Sequence, residues 1–421
     1  MKRIIIVLLA LILLLSVFGW AQQDSSAASL QSFVAANNRF GLKYLRQLQR
    51  KNPKDNLLVP PASLSLAFAL LQNGADANAD KEIGEAFERT NFPVGQLNLA
   101  SQQLLATLAE SQTGDRNRDT TFRISNSLWM GRRSAFRPEI KQTAQRFYGA
   151  GVNALPGPPE KDQKMLDAFL AKSLGRPFSI PTPLLDRFDF ALIMATVFDG
   201  KWASEFYEPS TTLKDFKLRD HTKRRVDMMQ KYQEFSYLRG DHFQAVHLAY
   251  TEHYGMYVFL PDDDEGIDSL VQSITPEAWN SWTSSFEDRP GQLELPKFRI
   301  VMSRNSTADL VELGIVSPFR SPASMANLVT TPEGAILKEA LEDASLDVNE
   351  KRTVVETRGM IGGVVGGISG GYLTKPPEPF HMLVDHPFLF AIGDGKTNSI
   401  LYIGVVTSPP AGNKKPEQPT K

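Results

Sequence analysis

The sequence predicts an α+β fold built as a single domain, and three observations carry that prediction. Apolar residues recur at helical spacing through the first third of the chain, and short alternating or continuous apolar runs dominate the last half. No Pro/Gly/Ser linker divides the chain into independent units, and its 421 residues suffice for one large core.

At the N-terminus, Lys2 and Arg3 precede an unbroken apolar run from Ile4 to Leu15, and Gly19 and Ala21 supply the small residues a signal peptidase needs. The run is short for a bilayer span, and polar Gln22, Gln23 and Asp24 follow at once. A signal peptide over 1–21 is therefore expected, then a frayed start over 22–30, a folded domain over 31–408 and a disordered, proline-rich tail over 409–421. Export to a periplasmic or extracellular space follows, with no membrane contact once the signal is removed.

From Ser32 to Gln49, Phe33, Phe40, Leu45 and Leu48 lie among polar residues, as in a helix with one buried face. Leu57 to Val59 reads as a short strand. Pro61 opens a helix at its first turn, Leu64, Ala67, Phe68 and Leu71 repeat at helical spacing, and Asn73-Gly74 closes it. Gln102 to Leu108 and Pro138 to Phe147 are further helices. Phe122, Ile124, Leu128 and Met130 alternate as in a strand, whereas Ala191 to Phe198 is continuously apolar, the pattern of a strand covered on both faces. Phe235 to Leu260 holds at least two strands, and Met382 to Ile392 and Ile400 to Val406 complete the strand-rich half.

The formal charge of -1 falls to -3 when Lys2 and Arg3 are removed, and no basic run exceeds three residues. That balance argues against a nucleic-acid surface. The absence of cysteine excludes disulfides, a thiol nucleophile and cysteine metal sites. His242, His247 and His253 are spaced for neither one helix face nor one strand face, so no metal site is expected. The adjacent acids Asp262 to Glu265 lack the alternation of a calcium loop. Gly367-Ile368-Ser369-Gly370-Gly371 misses the nucleophile elbow by one residue and has no strand before it, and the paired glycines lack the Gly-Lys-Ser/Thr of a phosphate loop. No cofactor is expected, and no enzyme chemistry.

What remains is the segment from Asn349-Glu350 to Pro387-Phe388, a glycine-studded stretch without clear period between two strand-like runs. Such length is more often functional than connective. The run Met382 to Ile392, with Asp385, His386, Pro387 and Phe388 at its centre, resembles the C-terminal signature of the serpin family. Val348-Asn349-Glu350 resembles the entry to that family's reactive loop. Asn56 to Ser65, Ile124-Ser125-Asn126-Ser127-Leu128-Trp129, Phe198-Asp199-Gly200-Lys201-Trp202 (similar to FKGKW) and Leu295-Pro296-Lys297-Phe298 are similar to further family stretches, in the family's order.

The resemblance implies a large mixed central sheet with smaller sheets, surrounding helices and an exposed reactive loop over about 350–380. It implies a monomer whose partner is a serine or cysteine protease. The protease cleaves the loop, and the loop's N-terminal arm enters the large sheet as a new strand. At ~1 kcal/mol net per hydrogen bond, a full arm stores on the order of 10 to 20 kcal/mol. Glu350, Arg352, Thr353, Val355 and Thr357 are the expected hinge. Alternation puts Thr353, Val355 and Thr357 on an inward face and Arg352, Val354, Glu356 and Arg358 on the face open to water. Counting forward from Glu350 by the family's spacing puts the bait at Val364, Val365, Gly366 and Gly367, suiting an elastase-like or subtilisin-like protease. Counting back from Pro387 lands near Lys375-Pro376 instead, because this loop is longer than the family norm.

Two departures bear on the mechanism. Arg352 stands where inhibitory members carry glycine, and Val355 to Arg358 replace a run of small residues, which should slow the hinge. Of the family's sheet-opening residues Ser63 is retained, but Met194 and Glu342 occupy the places of an asparagine and a histidine. Trp202, at the top of the sheet, is kept. The short signal and lack of cysteine suit a bacterial source.

Overall fold

The computed structural model describes residues 28–413 apart from 91, 111–118, 132–133, 156, 176, 178–188, 264–265 and 359–377. The expected signal peptide and the bait candidates Val364, Val365, Gly366 and Gly367 lie outside the described residues.

The chain opens with helix α1 over 28–51, begun earlier than the apolar spacing alone indicates. Strand β1 (Leu57–Val59) leads into α2 (Pro61–Gln72), which has proline in its first turn. Gly74 follows because a Cβ there would come within 2.8 Å of the Leu328 side chain. Helix α3 (Ala77–Ala86) is capped by the Asp76 side chain, which accepts from the Ala79 N–H, and α4 (Val94–Glu110) follows. Next come β2 (Thr121–Met130), α5 (Pro138–Tyr148), β3 (Gly151–Ala154), α6 (Pro159–Leu174) and β4 (Phe190–Lys201). Helices α5 and α6 both start at proline and stop at a left-handed glycine, Gly149 and Gly175.

The second half is mostly strand: β5 (Thr212–Lys217), β6 (Lys223–Gly240), β7 (Phe243–Ala249) and β8 (Tyr254–Pro261). Short helices α7 (Ile267–Ser273) and α8 (Pro276–Thr283) lead to β9 (Glu287–Pro296) and β10 (Phe298–Asn305). After α9 (Thr307–Glu312) and α10 (Ser317–Arg320) come β11 (Leu341–Val348), β12 (Arg352–Arg358), β13 (Phe380–Leu383), β14 (Phe388–Asp394) and β15 (Ser399–Val406).

These strands form two sheets, a nine-stranded one in the order β1-β15-β14-β8-β7-β6-β9-β13 with β5 beside β6, and a six-stranded one in the order β10-β11-β12-β4-β2-β3. The second is mixed, since β3 runs parallel to β2 while the other neighbours are antiparallel. Phe298 packs edge-on against Phe388, and the Thr196 and Tyr402 hydroxyls meet at 2.9 Å, which joins the sheets through one core. On the other side of the six-stranded sheet, one stripe of α6 (Leu166, Leu170, Leu174) packs on Trp129, Ile193, Ala195 and Val197.

The fold is therefore α+β in one domain. The segment expected as an exposed loop from about 350 contains a strand, because β12 satisfies its backbone on both sides. The tail expected to be disordered from Pro409 is held over its first residues, with Gly412 N–H donating to Arg225 O at 2.9 Å and Asn413 N–H to the Asp227 carboxylate at 3.1 Å.

Candidate functional site

β12 lies antiparallel between β11 and β4, with Thr353 opposite Val348 on one side and Gly200 on the other. Its alternation sorts the side chains. Thr353 and Val355 are fully buried, while Arg352, Val354 and Glu356 are half-buried on the opposite face. That second face is only partly open to water: Glu356 stands opposite Val197, which α6 helps to bury. The backbone of Thr357 continues the inward register, opposite Ala344 and Thr196.

A tight polar turn joins β11 to β12. The Asn349 side-chain oxygen accepts from the N–H groups of Lys351 (3.0 Å) and Arg352 (3.2 Å), an Asx-type closure. Glu350 is only 5% exposed, and its carboxylate accepts from Thr211 Oγ1 and Lys297 Nζ, each at 2.7 Å. Burial pushes this carboxyl up, but the hydrogen bonds from Lys297 and Thr211 outweigh it and hold the group below the ordinary glutamate range.

Trp202 clamps the same turn. Its backbone N–H donates to Lys351 O (3.1 Å) and its indole N–H to Asn349 O (2.9 Å), while its ring stacks on Tyr250 at 4.4 Å. The Tyr250 hydroxyl in turn donates to Thr353 Oγ1 at 2.7 Å, and burial raises its pKa well above the usual tyrosine value. An aromatic stack and one hydrogen bond thus link the indole to the first inward residue of the arm.

Arg358, which pairs with Ala195 and Asp343, is the last described residue of the ladder. Beside it, residues of β4 and β11 border a cavity of about 500 Å³. Leu64 and Phe68 of α2 floor it, and Ile193, Met194, Leu341 and Glu342 border it. Among the described residues the sheet-opening candidates Ser63, Met194 and Glu342 are not joined to one another by hydrogen bonds. The Ser63 hydroxyl is buried and has no hydrogen-bond partner among the described residues. Met194 offers only apolar surface. Glu342 turns instead toward the β10 side, accepting from Arg304 (2.7 Å) and the Tyr44 hydroxyl (3.3 Å). Burial, reinforced by Glu342, raises the Tyr44 pKa well above its ordinary value.

The Asp385-His386-Pro387-Phe388 stretch is the joint between β13, at one edge of the nine-stranded sheet, and β14 in its core. The His386 ring meets Asp385 Oδ1 at 2.8 Å and Pro261 O at 2.9 Å, Asp385 O accepts from the Lys217 N–H, and Pro387 and Phe388 are buried. Its role in this structure is to fix the far end of the segment that follows β12.

Among the described residues no group of three or more histidine or acidic side chains could hold a metal. His247 is buried, which pushes its pKa down to about 4, His253 lies 3.1 Å from Asp394, and Asp262 is paired with Arg239. Sequence reasoning missed Lys297, Thr211, Tyr250, Asp199, Arg304 and Tyr44 as partners. Nothing local marks them, since each meets its partner only through the folded sheets.

After β11 the chain adds one more strand, β12, to the six-stranded sheet, and it reappears as β13 at the edge of the nine-stranded one. Sequence comparison gives the class of protein. The family described as Serpin (serine protease inhibitor) matches residues 35–409, and the chain belongs to the serpin family. Leukocyte elastase inhibitor from Homo sapiens is 25% identical over 394 residues, spanning 90% of this chain and all of that protein. Iripin-2 from Ixodes ricinus is 26% identical, over 94% of this chain and 97% of its own. The structure of cleaved Serpin 42Da superposes with a TM-score of 0.78 at 19% identity, covering 90% of this chain and 99% of that one. A cleaved, loop-inserted ovalbumin mutant gives 0.75 at 22%, covering 90% and 100%. The family is one of protease inhibitors rather than catalysts, and the relatives from Homo sapiens and Ixodes ricinus do not bear out the expected bacterial source.

Proposed function

We propose that the chain is an exported, monomeric inhibitor of a serine endopeptidase that acts as a suicide substrate. The protease attacks the segment after β12, at Val364 to Gly367, and forms an acyl-enzyme. The arm beginning at Arg352 then extends through the sheet and carries the protease with it. The observation that carries this reading is that Arg352–Arg358 already lies as a strand between β11 and β4, with the cavity continuing along the same path. Small apolar residues at the bait and the relation to a leukocyte elastase inhibitor favour an elastase-like or subtilisin-like target.

A second reading, a non-inhibitory member that keeps the fold for binding, is favoured by the charged hinge and the lengthened segment. Incubation of the mature protein with elastase, subtilisin and trypsin separates the two. A denaturant-resistant complex, and a large rise in melting temperature of the cleaved chain, are expected. Clean cleavage with neither result would leave only the second reading.

A further inference from the structure

The mouth of the slot holds an ion pair that rests on this inhibitory reading for its meaning. Arg352 Nη1 donates to both carboxylate oxygens of Asp199, at 2.9 and 3.0 Å. The residue directly opposite Arg352 on β4 is Lys201, and two cations face to face across an antiparallel pair repel. Lys201 instead reaches Asp119 at 3.0 Å and Glu205 at 3.9 Å, which leaves Asp199 to Arg352. Asp199 lies opposite Val354, so the contact is diagonal along the strand, and it depends on the register of β12 against β4. Both positions are departures already visible in the sequence. A cation occupies the hinge, and an anion occupies the second position of the Phe198-Asp199-Gly200-Lys201-Trp202 stretch.

We propose that Asp199 and Arg352 form a charge clasp that holds the first residue of the arm against β4 once the arm lies in the sheet. Asp199 is thereby a positioning residue for insertion. Arg352, which in isolation should obstruct the hinge, assists it. Because Glu350 is anchored separately by Thr211 and Lys297, the clasp acts on the arm itself and leaves the turn before it unchanged. Both side chains are partly exposed, Arg352 at 43% and Asp199 at 30%, so the effect is modest and salt-sensitive.

The test is a double-mutant cycle on the mature protein: Asp199→Asn, Arg352→Gln, the double variant, and the swap Asp199→Arg with Arg352→Asp. At low salt each single variant should raise the moles of inhibitor consumed per protease by about two- to five-fold. The double variant should be no worse than either single one, the swap should recover most of the loss, and high salt should erase the differences. Additive effects, or a gain of inhibition in Arg352→Gln, would overturn the clasp. If the unaltered protein forms no complex, the inhibitory reading fails on its own account. The same cycle read by urea unfolding then decides the clasp, and zero coupling overturns it.

Discussion

At the upper end of the β12 slot, Glu350, Trp202, Tyr250 and Arg352 tie the strand to β4, β8-proximal residues and the β9–β10 turn through directional bonds of 2.7 to 3.1 Å. At the lower end, β4 and β11 border a cavity with Leu64 and Phe68, the Ser63 hydroxyl has no partner among the described residues, and Glu342 is bonded to Arg304. The first region specifies one geometry, because buried donors and acceptors lose heavily when separated. The second is lined largely by apolar side chains around an open cavity, so it can change its contents at small cost in hydrogen bonds. A sheet that accepts a strand stepwise needs both: a fixed mouth that sets register, and an interior that can be refilled.

Breaking the mouth should have the largest effect. Glu350→Lys replaces the acceptor for Lys297 and Thr211 with a second buried cation, and should cost about 3–5 kcal/mol, read as a lowered urea midpoint. An unchanged midpoint would mean that Lys297 finds water without help. The same carboxylate sets a pH dependence. Its folded pKa is lowered, so its contribution is complete above the ordinary glutamate range and is lost as pH falls through the lowered value. Glu350→Gln should therefore lose stability at neutral pH yet show a shallower decline on acidification. Tyr44, whose pKa is raised, has the opposite sign: its contribution is complete below about pH 10 and is lost above it.

Enlarging the interior comes next. Met194 is buried at the cavity's edge, and Met194→Ala should cost about 2–4 kcal/mol, because a large buried apolar side chain is removed beside an existing cavity. A cost below about 1 kcal/mol would show that β4 and β11 close over the gap.

Much of this division was legible before any coordinates. The β-branched alternation of Thr353 and Val355 marked the buried face of β12, and the continuous apolar run Ala191 to Phe198 announced a strand covered on both sides. Pro61 and Asn73-Gly74 bounded α2 correctly. What could not be read were the partners. Tyr44, Arg304 and Glu342 come from a helix and two strands far apart in the chain, and only the β10–β11 register brings them together. The water-facing side assigned to Glu356 was incomplete for the same reason, since nothing in the arm records that its neighbour Val197 is covered by α6. Strands as short as β3 and helices as short as α7 and α8 offer too few residues for a period to emerge.

A smaller effect separates the mouth's aromatic clamp from its hydrogen bond. Tyr250→Phe keeps the stack on Trp202 but removes the hydroxyl that donates to Thr353, and should cost about 1 kcal/mol. A Trp202→Phe comparison should cost more, since the indole N–H to Asn349 O is lost along with packing.

The smallest effect has the most informative sign. Ser63 is fully buried on α2, and its hydroxyl has no hydrogen-bond partner among the described residues to offset its desolvation. If the lower slot is a polar switch, Ser63→Ala should destabilise the chain. If it is an apolar, refillable interior, removing the hydroxyl should be neutral or stabilising by up to about 1 kcal/mol, because no bond is broken and an unmet polar group is removed. Thermal melts of the two proteins before loop cleavage read the sign directly. A loss of stability would place Ser63 in a hydrogen-bonded network and erase the contrast between the two ends of the slot.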